Sequence, residues 1–480
     1  MKKKYLKLLP FLVSLIFLYA CKQPVLKGDL IITHVNVVSI QDGEIIPNQN
    51  IVITGDKISQ ISSSDNFHLE ADSVTDGSGL YIIPGLWDMH VHVRQYENSF
   101  FPRFIAYGVT GIRDMFNPVI DSIGKWKDSV NQANGLAPRI GLVAGRVVDG
   151  PQERNWPGSI VIQEGDDIRE KVIEVANNKG YDFIKVYSGL SEQQLEEIAA
   201  EAKKAGIPIA GHLPPPVPIE KAIALGQQSI EHLEGFNISM TPDTDELYAD
   251  IHHIRDSLGV RASFNTFWDM DAAAIDNRDP AKVKILMNLL KEKKVFPCTA
   301  SFVMSDQQLN SPYNKVDLGE LGLQHYPDSL INLYTARLQR TYPEELMESF
   351  KKANRGRQQL ILDFEKYEVP FLAGTDASPT RPVVPGLSLH KELQLMQAGG
   401  AKPITILRSA TWYPALFMNA IDTYGSVEEG KMADLLLLNG NPLEDIHNAE
   451  NIHTVILKGK GYPKKELTRF AATNMGSEPE

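Results

Sequence analysis

Between residues 84 and 419 the chain repeats one pattern eight times: a short apolar run, followed in most cases by a segment with helical spacing. The runs are GLWDMHVHV from Gly85, GVTGIRD from Gly108, RIGLVAG from Arg139, DFIKVYS from Asp182, IPIAGHL from Ile207, SIEHLEG from Ser229, KVFPCTASF from Lys294 and VPFLAGTDAS from Val369. Apolar runs this short, bounded by turn residues, read as strands, and stretches such as SEQQLEEIAAEAKKAG from Ser191 read as the helices between them. An open doubly wound sheet tolerates any number of such units, whereas a closed parallel barrel needs eight. The count predicts an α/β protein whose residues 84–419 form a (β/α)8 TIM barrel.

The flanks have a different texture. From Gly28 to Ile83 short β-rich runs are broken by turn residues, and the same texture returns in GSVEEGKMADLLLLNGNPLEDI and HTVILKGK near the other end. Residues 28–83 and 420–465 are expected to build one small β-sandwich domain together. Ahead of them, MKKKYLKLLPFLVSLIFLYA has a basic start and an apolar stretch too short for a confident membrane span, which is the pattern of an export signal. Its ending, Leu18-Tyr19-Ala20-Cys21, resembles a bacterial lipoprotein cleavage site. On that resemblance residues 1–21 are a lipoprotein signal peptide and Cys21 is lipidated. The protein is then exported and membrane-anchored in a bacterial cell envelope, with the face left open between periplasmic and outer-surface.

Composition narrows the partners. With 60 acidic against 48 basic residues the formal net charge is -12, and no block of Lys or Arg occurs outside the leader, which argues against nucleic acid. A small molecule or a peptide fits better, and a homo-oligomer is left open. Only Cys298 remains in the body, so no internal disulfide is expected and the fold rests on its core.

In a barrel of this kind the chemistry gathers at the C-terminal ends of the strands. There the sequence puts His90 and His92, His212, His232 and Asp376, with Lys185 inside the fourth strand. Residues two apart on a strand share a face, so His90 and His92 both point into the mouth. Each histidine alone could be an ordinary hydrogen-bonded residue, and Asp376 could cap a helix. Arriving together from separate strands, imidazoles and a carboxylate suit zinc or a similar divalent ion. Lys185 is the hardest to explain otherwise, because an unpaired lysine in a barrel strand costs several kcal/mol. His252, His253, His34, His447 and His453 fall in a helical run or the β-rich flanks, and His68 and His325 in loops.

PGLWDMHVHV, GVTGIRD, DFIKVYS, AGHLP, SIEHLEG, AGTDAS, PGLSLHKELQLM, SATWYPALFM and GSVEEGKMADLLLLNGNPLEDI together resemble the metal-dependent amidohydrolase superfamily, in its imidazolonepropionase-like and prolidase-like branch. The resemblance implies that His90, His92 and Asp376 hold one metal ion, that His212 and His232 hold a second, and that Lys185 is carboxylated and bridges them. It implies a hydrolase of a C–N bond in a small substrate such as a dipeptide or N-acyl amino acid, with Asp376 as general base and acid. Cyclic-amide or lactone hydrolysis, or deamination, on the same centre is the alternative, and a binding protein without chemistry a third. Gly425, Gly430, Lys431, Ala433 and Asp434 match the structural closing signature of the superfamily.

The loop AGRVVDGPQERNWPG from Ala144 departs from the stretch that prolidase-like relatives often carry after the third strand. It retains Arg146, a candidate anchor for a substrate carboxylate or else a structural arginine. Tyr187 shares a strand face with Lys185 and is a candidate substrate contact or a packing residue. Two long insertions, residues 235–293 and 303–368, are expected to shape the substrate pocket.

Overall fold

Four consecutive leucines, Leu435–Leu438, show how the two ends of the chain come together. In the computed structural model, which describes residues 25–473 apart from 65, 94–95, 119–121, 134, 154, 178–179 and 311–325, all four are buried in one strand. Side chains alternate across a strand, so the run feeds two cores. Leu435 and Leu437 join Ile32, Val35, Ile53 and Ile82, whereas Leu436 and Leu438 join Ile83, Val109 and Val455 in the main core. The close approach on the second side needs Gly108, which has φ +73° and where a Cβ would lie 2.7 Å from Leu436 Cδ1.

The sheet that results has eight strands. β1 (Val25–Ser39), β2 (Glu44–Thr54) and β3 (Lys57–Ser62) form an antiparallel succession, β4 (His68–Asp76) runs parallel to β1, and β5 (Tyr81–Pro84) joins β1 to Leu435–Leu438. The strands Ile452–Leu457 and Lys460–Pro463 complete it. His68, expected in a loop, starts β4. The leader and Cys21 lie outside the described residues.

The middle of the chain is parallel throughout. β6 (Leu86–Val91), β7 (Val109–Asp114) and β8 (Arg139–Val143) pair in sequence order. β9 (Val147–Asp149), β10 (Ile160–Val161), β11 (Ile184–Val186), β12 (Ile209–Gly211), β13 (Gln227–Glu231) and β14 (Phe296–Cys298) form a second sheet in the order β10-β9-β11-β12-β13-β14. Asp182 N donates to Val143 O at 2.9 Å, linking β8 to the residues before β11. Beyond β14, the segment 371–377 has parallel bridges from Leu372 to Cys298 and from Ala377 to Val91.

Seven of the eight expected runs contain a ladder strand; the eighth has two isolated bridges instead. Its register is held by other means. Thr375 donates from its hydroxyl to Asp88 Oδ2 at 2.6 Å and from its amide to Asp88 Oδ1 at 3.1 Å. Gly374 lies against β6 where a Cβ would come 2.7 Å from His90 Cβ and 2.9 Å from Cys298 Sγ.

Sheets and helices meet as the local signals require. The helix Glu192–Ala205 starts at Ser191, whose side chain accepts from Gln194 N while Gln194 reaches back to the Ser191 amide, and it ends on left-handed Gly206. The insertions are helical: Thr244–Leu258, Val260–Ala274 and Pro280–Lys293 in the first, Asp328–Leu338 and Glu344–Tyr367 in the second.

Candidate metal centre

The ends of β6, β11, β12 and β13 and the segment 371–377 meet at one pocket. His90, His92, Lys185, His212, His232 and Asp376 all line it, each from the element that carries it in the sequence. One donor atom each from His90, His92 and Asp376 lies within 4.8 Å of the others, and His92 Nε2 is 2.9 Å from Asp376 Oδ1. His212 and His232 bring their Nε2 atoms within 3.2 Å of each other. Two of the pocket residues have backbone in the left-handed region, His232 at φ +65° and Asp376 at φ +60°.

Hydrogen bonds behind the rings decide what the rings offer in front. His90 Nδ1 lies 2.7 Å from Glu231 Oε2, and His232 Nδ1 lies 3.1 Å from Ala300 O, an acceptor that requires the proton on that nitrogen. His212 Nδ1 lies 3.0 Å from the Ser188 hydroxyl. With Nδ1 protonated, as the Glu231 and Ala300 oxygens require, Nε2 of His90 and of His232 presents a lone pair toward the pocket. His90 Nε2 and His92 Nδ1 are buried without a hydrogen-bond partner.

Glu231 is itself fixed. Arg113 Nη2 donates to both its oxygens at 3.0 and 2.9 Å, and the Ser229 hydroxyl donates to Oε1 at 2.5 Å. Burial pushes the Glu231 carboxyl up, but Arg113, His90 and Ser229 together hold it well below the ordinary range.

Burial, followed by neighbouring positive groups, depresses the imidazoles: His92 falls to about 4, and His90 and His212 lie well below their ordinary value. The rings are therefore neutral at pH 7. Burial likewise lowers Lys185 to about 8. Asp376 goes the other way: burial raises it, and Arg381, His92 and His90 outweigh burial and leave it an anion. Neutral nitrogen lone pairs converging on one carboxylate, with two buried ring nitrogens unpartnered, fit a divalent cation.

A model of the amidohydrolase family matches residues 81–461. The chain belongs to the amidohydrolase family. Its curated relatives include an adenine deaminase from Cenarchaeum symbiosum, 31% identical over 101 residues, a match covering 20% of this chain and 16% of that protein's length. Among solved structures, bottromycin amidohydrolase superposes with a TM-score of 0.65 at 20% identity, covering 94% of this chain and 91% of the other. A Xaa-Pro dipeptidase with methionine bound in the active site gives 0.59 at 18% identity, covering 90% and 99%. The mixed α/β fold of this amidohydrolase is thus shared with those two structures, and the family is generally metal-dependent.

Of the candidate substrate residues, Tyr187 lines the pocket and Arg146 does not. The Tyr187 ring lies tilted against His212 with centroids 4.1 Å apart, and its hydroxyl accepts from Trp156 Nε1 at 2.9 Å. Arg146 is occupied elsewhere, donating to Glu174 Oε1 at 2.6 Å and to Gly158 O at 2.8 Å, so it pins its own loop. The guanidinium in the pocket belongs to Arg381, whose Nη1 lies 3.0 Å from Asp376 Oδ2. Trp156, from the departing loop, and Phe116 are further lining residues that the sequence did not single out. Signals for Glu231 and Arg113 were present: an acid and an arginine inside strands that are otherwise apolar, in SIEHLEG and GVTGIRD.

The long insertions contribute none of the described lining residues. They act from behind, where Tyr334 donates to Ser378 O at 2.7 Å and Met304 touches Arg381.

Proposed function

We propose that this amidohydrolase hydrolyses a C–N bond in a small substrate, a dipeptide or an N-acyl amino acid, at a centre of two divalent metal ions, zinc being the natural choice. The observation that carries this reading is the convergence of four neutral imidazoles, Lys185 and the Asp376 carboxylate on one pocket. His90, His92 and Asp376 would hold one ion, His212 and His232 the other. Lys185, carboxylated by addition of carbon dioxide to its neutral amine with loss of a proton, would bridge them; a depressed lysine supplies more of that amine. Such ions, when bound, polarise a carbonyl and make hydroxide available near neutral pH.

The rest of the chemistry falls to the chain. Asp376 takes the proton of the attacking water on its carboxylate and returns it to the leaving nitrogen. Glu231 holds His90 in one tautomer from behind.

Parallel pairing along β6-β7-β8 and along β11-β12-β13-β14, the hydrogen bond from Asp182 N to Val143 O between the two runs, and the bridges of the segment 371–377 to β14 and β6 support a (β/α)8 barrel over residues 84–419. Residues 28–83 with 420–465 would be the β-sandwich domain. We further infer an exported lipoprotein anchored through Cys21; mass spectrometry of the membrane fraction tests it by the presence of an acylated Cys21 at the mature N-terminus.

The decisive experiment pairs elemental analysis with assays of metal-loaded protein against dipeptides, N-acyl amino acids, lactones and purines. Amide turnover abolished by chelation, with two metal ions per chain, is the expected result. Turnover of lactones alone would sink the amide reading. Deamination is the second reading, supported by the adenine deaminase relatives, and ammonia release from a purine would establish it.

A further inference from the structure

We propose that Trp156 sets the shape of the group that the pocket accepts beside β9, favouring a flat apolar substituent, and that Asp149, outside the pocket, holds Trp156 in place. The inference rests on the hydrolase reading above and adds a selectivity to it. Trp156 belongs to the loop that follows β9, and with Phe116, Val147 and Tyr187 it makes up the apolar part of the pocket lining. Its ring is tied to that wall through Nε1, which donates to the Tyr187 hydroxyl at 2.9 Å. One bond of that kind does not fix a loop; Asp149 supplies the others.

Asp149 ends β9 and is fully buried. Residues two apart on a strand share a face, so it points to the side from which Val147 lines the pocket, yet it is covered and is not itself part of the lining. Each of its oxygens takes two donors. Oδ1 accepts from Gly150 N at 2.9 Å and from Gly189 N, in the turn after β11, at 2.8 Å. Oδ2 accepts from Gln152 Nε2 at 2.7 Å and from Asn155 Nδ2 at 2.8 Å. Asn155, next to Trp156, closes the loop on itself, donating also to Gly150 O at 2.9 Å and accepting from Gln152 N at 3.3 Å. The two segments meet at glycines: a Cβ on Gly150 would run into the Gly189 carbonyl, and one on Gly189 would lie 2.6 Å from Asp149 Oδ1.

All four donors are neutral N–H groups, so the carboxylate is not there to satisfy a cation. Burial pushes its carboxyl up, against the four bonds that favour the anion. A loop that only had to turn could do so with one Asn or Ser side chain bonded to its own backbone. Four bonds from β9, the loop and the turn after β11 instead lock three segments in register. Tyr187 lies two residues before Gly189, so the same clamp fixes both partners of the bond between Trp156 and Tyr187. Side chains supported in this way keep one geometry, and a rigid aromatic wall favours a ring packed on it over a small or polar group.

The test uses pairs of amides that differ by a phenyl group: N-benzoyl- against N-acetyl-glycine, and glycyl-phenylalanine against glycyl-alanine. Metal-loaded wild type should prefer the phenyl member of at least one pair by about 10- to 100-fold in kcat/KM, the value of burying one ring. The preference should collapse in Trp156→Ala and largely survive in Trp156→Phe, which keeps the wall and drops the bond to Tyr187. It should also fall in Asp149→Asn, and in Asn155→Ala, which leaves the backbone bonds of Asp149 in place, while kcat on the smaller member stays within about threefold of wild type. If Asp149 serves the fold alone, both members fall together and their ratio stays as in the wild type, which overturns the proposal. A phenyl preference untouched in Trp156→Ala overturns it as well. Calorimetric binding of unreactive ketomethylene isosteres of the same pairs needs no turnover. A Trp156-dependent preference for the phenyl isostere, with no substrate hydrolysed, supports the wall and removes the hydrolase reading. Equal turnover of both members by the wild type removes the wall and keeps the hydrolase.

Discussion

Two buried ionic clusters, one at the seam between the eight-stranded sheet and the parallel strands and one in the pocket, use similar residues to opposite ends. At the seam, Arg139 pairs with Asp434 and reaches Asp56 at 3.4 Å, while the second oxygen of Asp434 accepts from Lys458 N at 2.7 Å. Lys458 Nζ finishes on the carbonyls of Val130 and Ala133 at 3.2 and 2.6 Å. Every charge there meets a partner within the protein. In the pocket the reverse holds: imidazole nitrogens face one another or stand unpartnered around a single carboxylate. Burial is common to both clusters, so burial does not mark function. What separates them is whether the hydrogen bonds close without a guest.

The sharpest way to test that contrast is Asp376→Asn. With the proton carrier removed, kcat should fall by about 10³-fold while bound metal stays near the wild-type content. Loss of the metal in step with the activity would show that the ligand role of Asp376 accounts for the whole effect and would remove the support for its proton-carrying role. At the seam, Asp434→Ala leaves Arg139 buried without its anion and should cost about 3–5 kcal/mol in urea unfolding. Metal content should not change, and a parallel loss of metal would break the separation between the two clusters.

Another buried carboxylate, Asp271, belongs to neither cluster. Burial raises Asp271 from an ordinary 3.8 to about 6, although Ile238 N donates to it at 3.1 Å. Because the folded value is the higher one, its contribution is most favourable below pH 4 and is lost as pH rises through 6. The difference, about 2 pH units, corresponds to roughly 3 kcal/mol. Asp271→Asn should therefore be more stable than wild type at pH 8 by up to that amount, with the gap closing toward pH 4. Unfolding curves at three pH values check this; a gap independent of pH would mean that the carboxyl is compensated, as at the seam. The smallest effect is expected from Glu231→Gln, which keeps an acceptor for His90 but removes the charge behind it. Metal affinity, read by chelator competition, should weaken by about 10- to 100-fold. An unchanged affinity would make Glu231 a partner of Arg113 alone.

The sequence made the parallel strands and the six pocket residues legible because both follow from short-range pattern. An apolar run of strand length is visible in one dimension, and a histidine at its end is visible with it. What escaped depends on approach in space. β9 and β10 are three and two residues long, too short to show a period. The eighth run was read as a strand, yet it is held by Thr375 on Asp88 and by Gly374 against His90. Arg146 and Arg381 are alike as letters, and only the fold puts Glu174 beside one and Asp376 beside the other. The insertions were expected to shape the substrate pocket, and among their described residues they reach it only indirectly, through Tyr334 on Ser378 and Met304 on Arg381.

The left-handed backbone at His232 and Asp376 has a consequence for lineage. Holding a non-glycine residue there costs about 1 kcal/mol apiece, and the same turn made with glycine costs almost nothing. Selection for the pocket's chemistry is what opposes that exchange. In a descendant freed from the chemistry, positions 232 and 376 should be among the first in the pocket to drift to glycine or asparagine. A sequence carrying those letters in an intact frame would date the loss of activity before any assay is run.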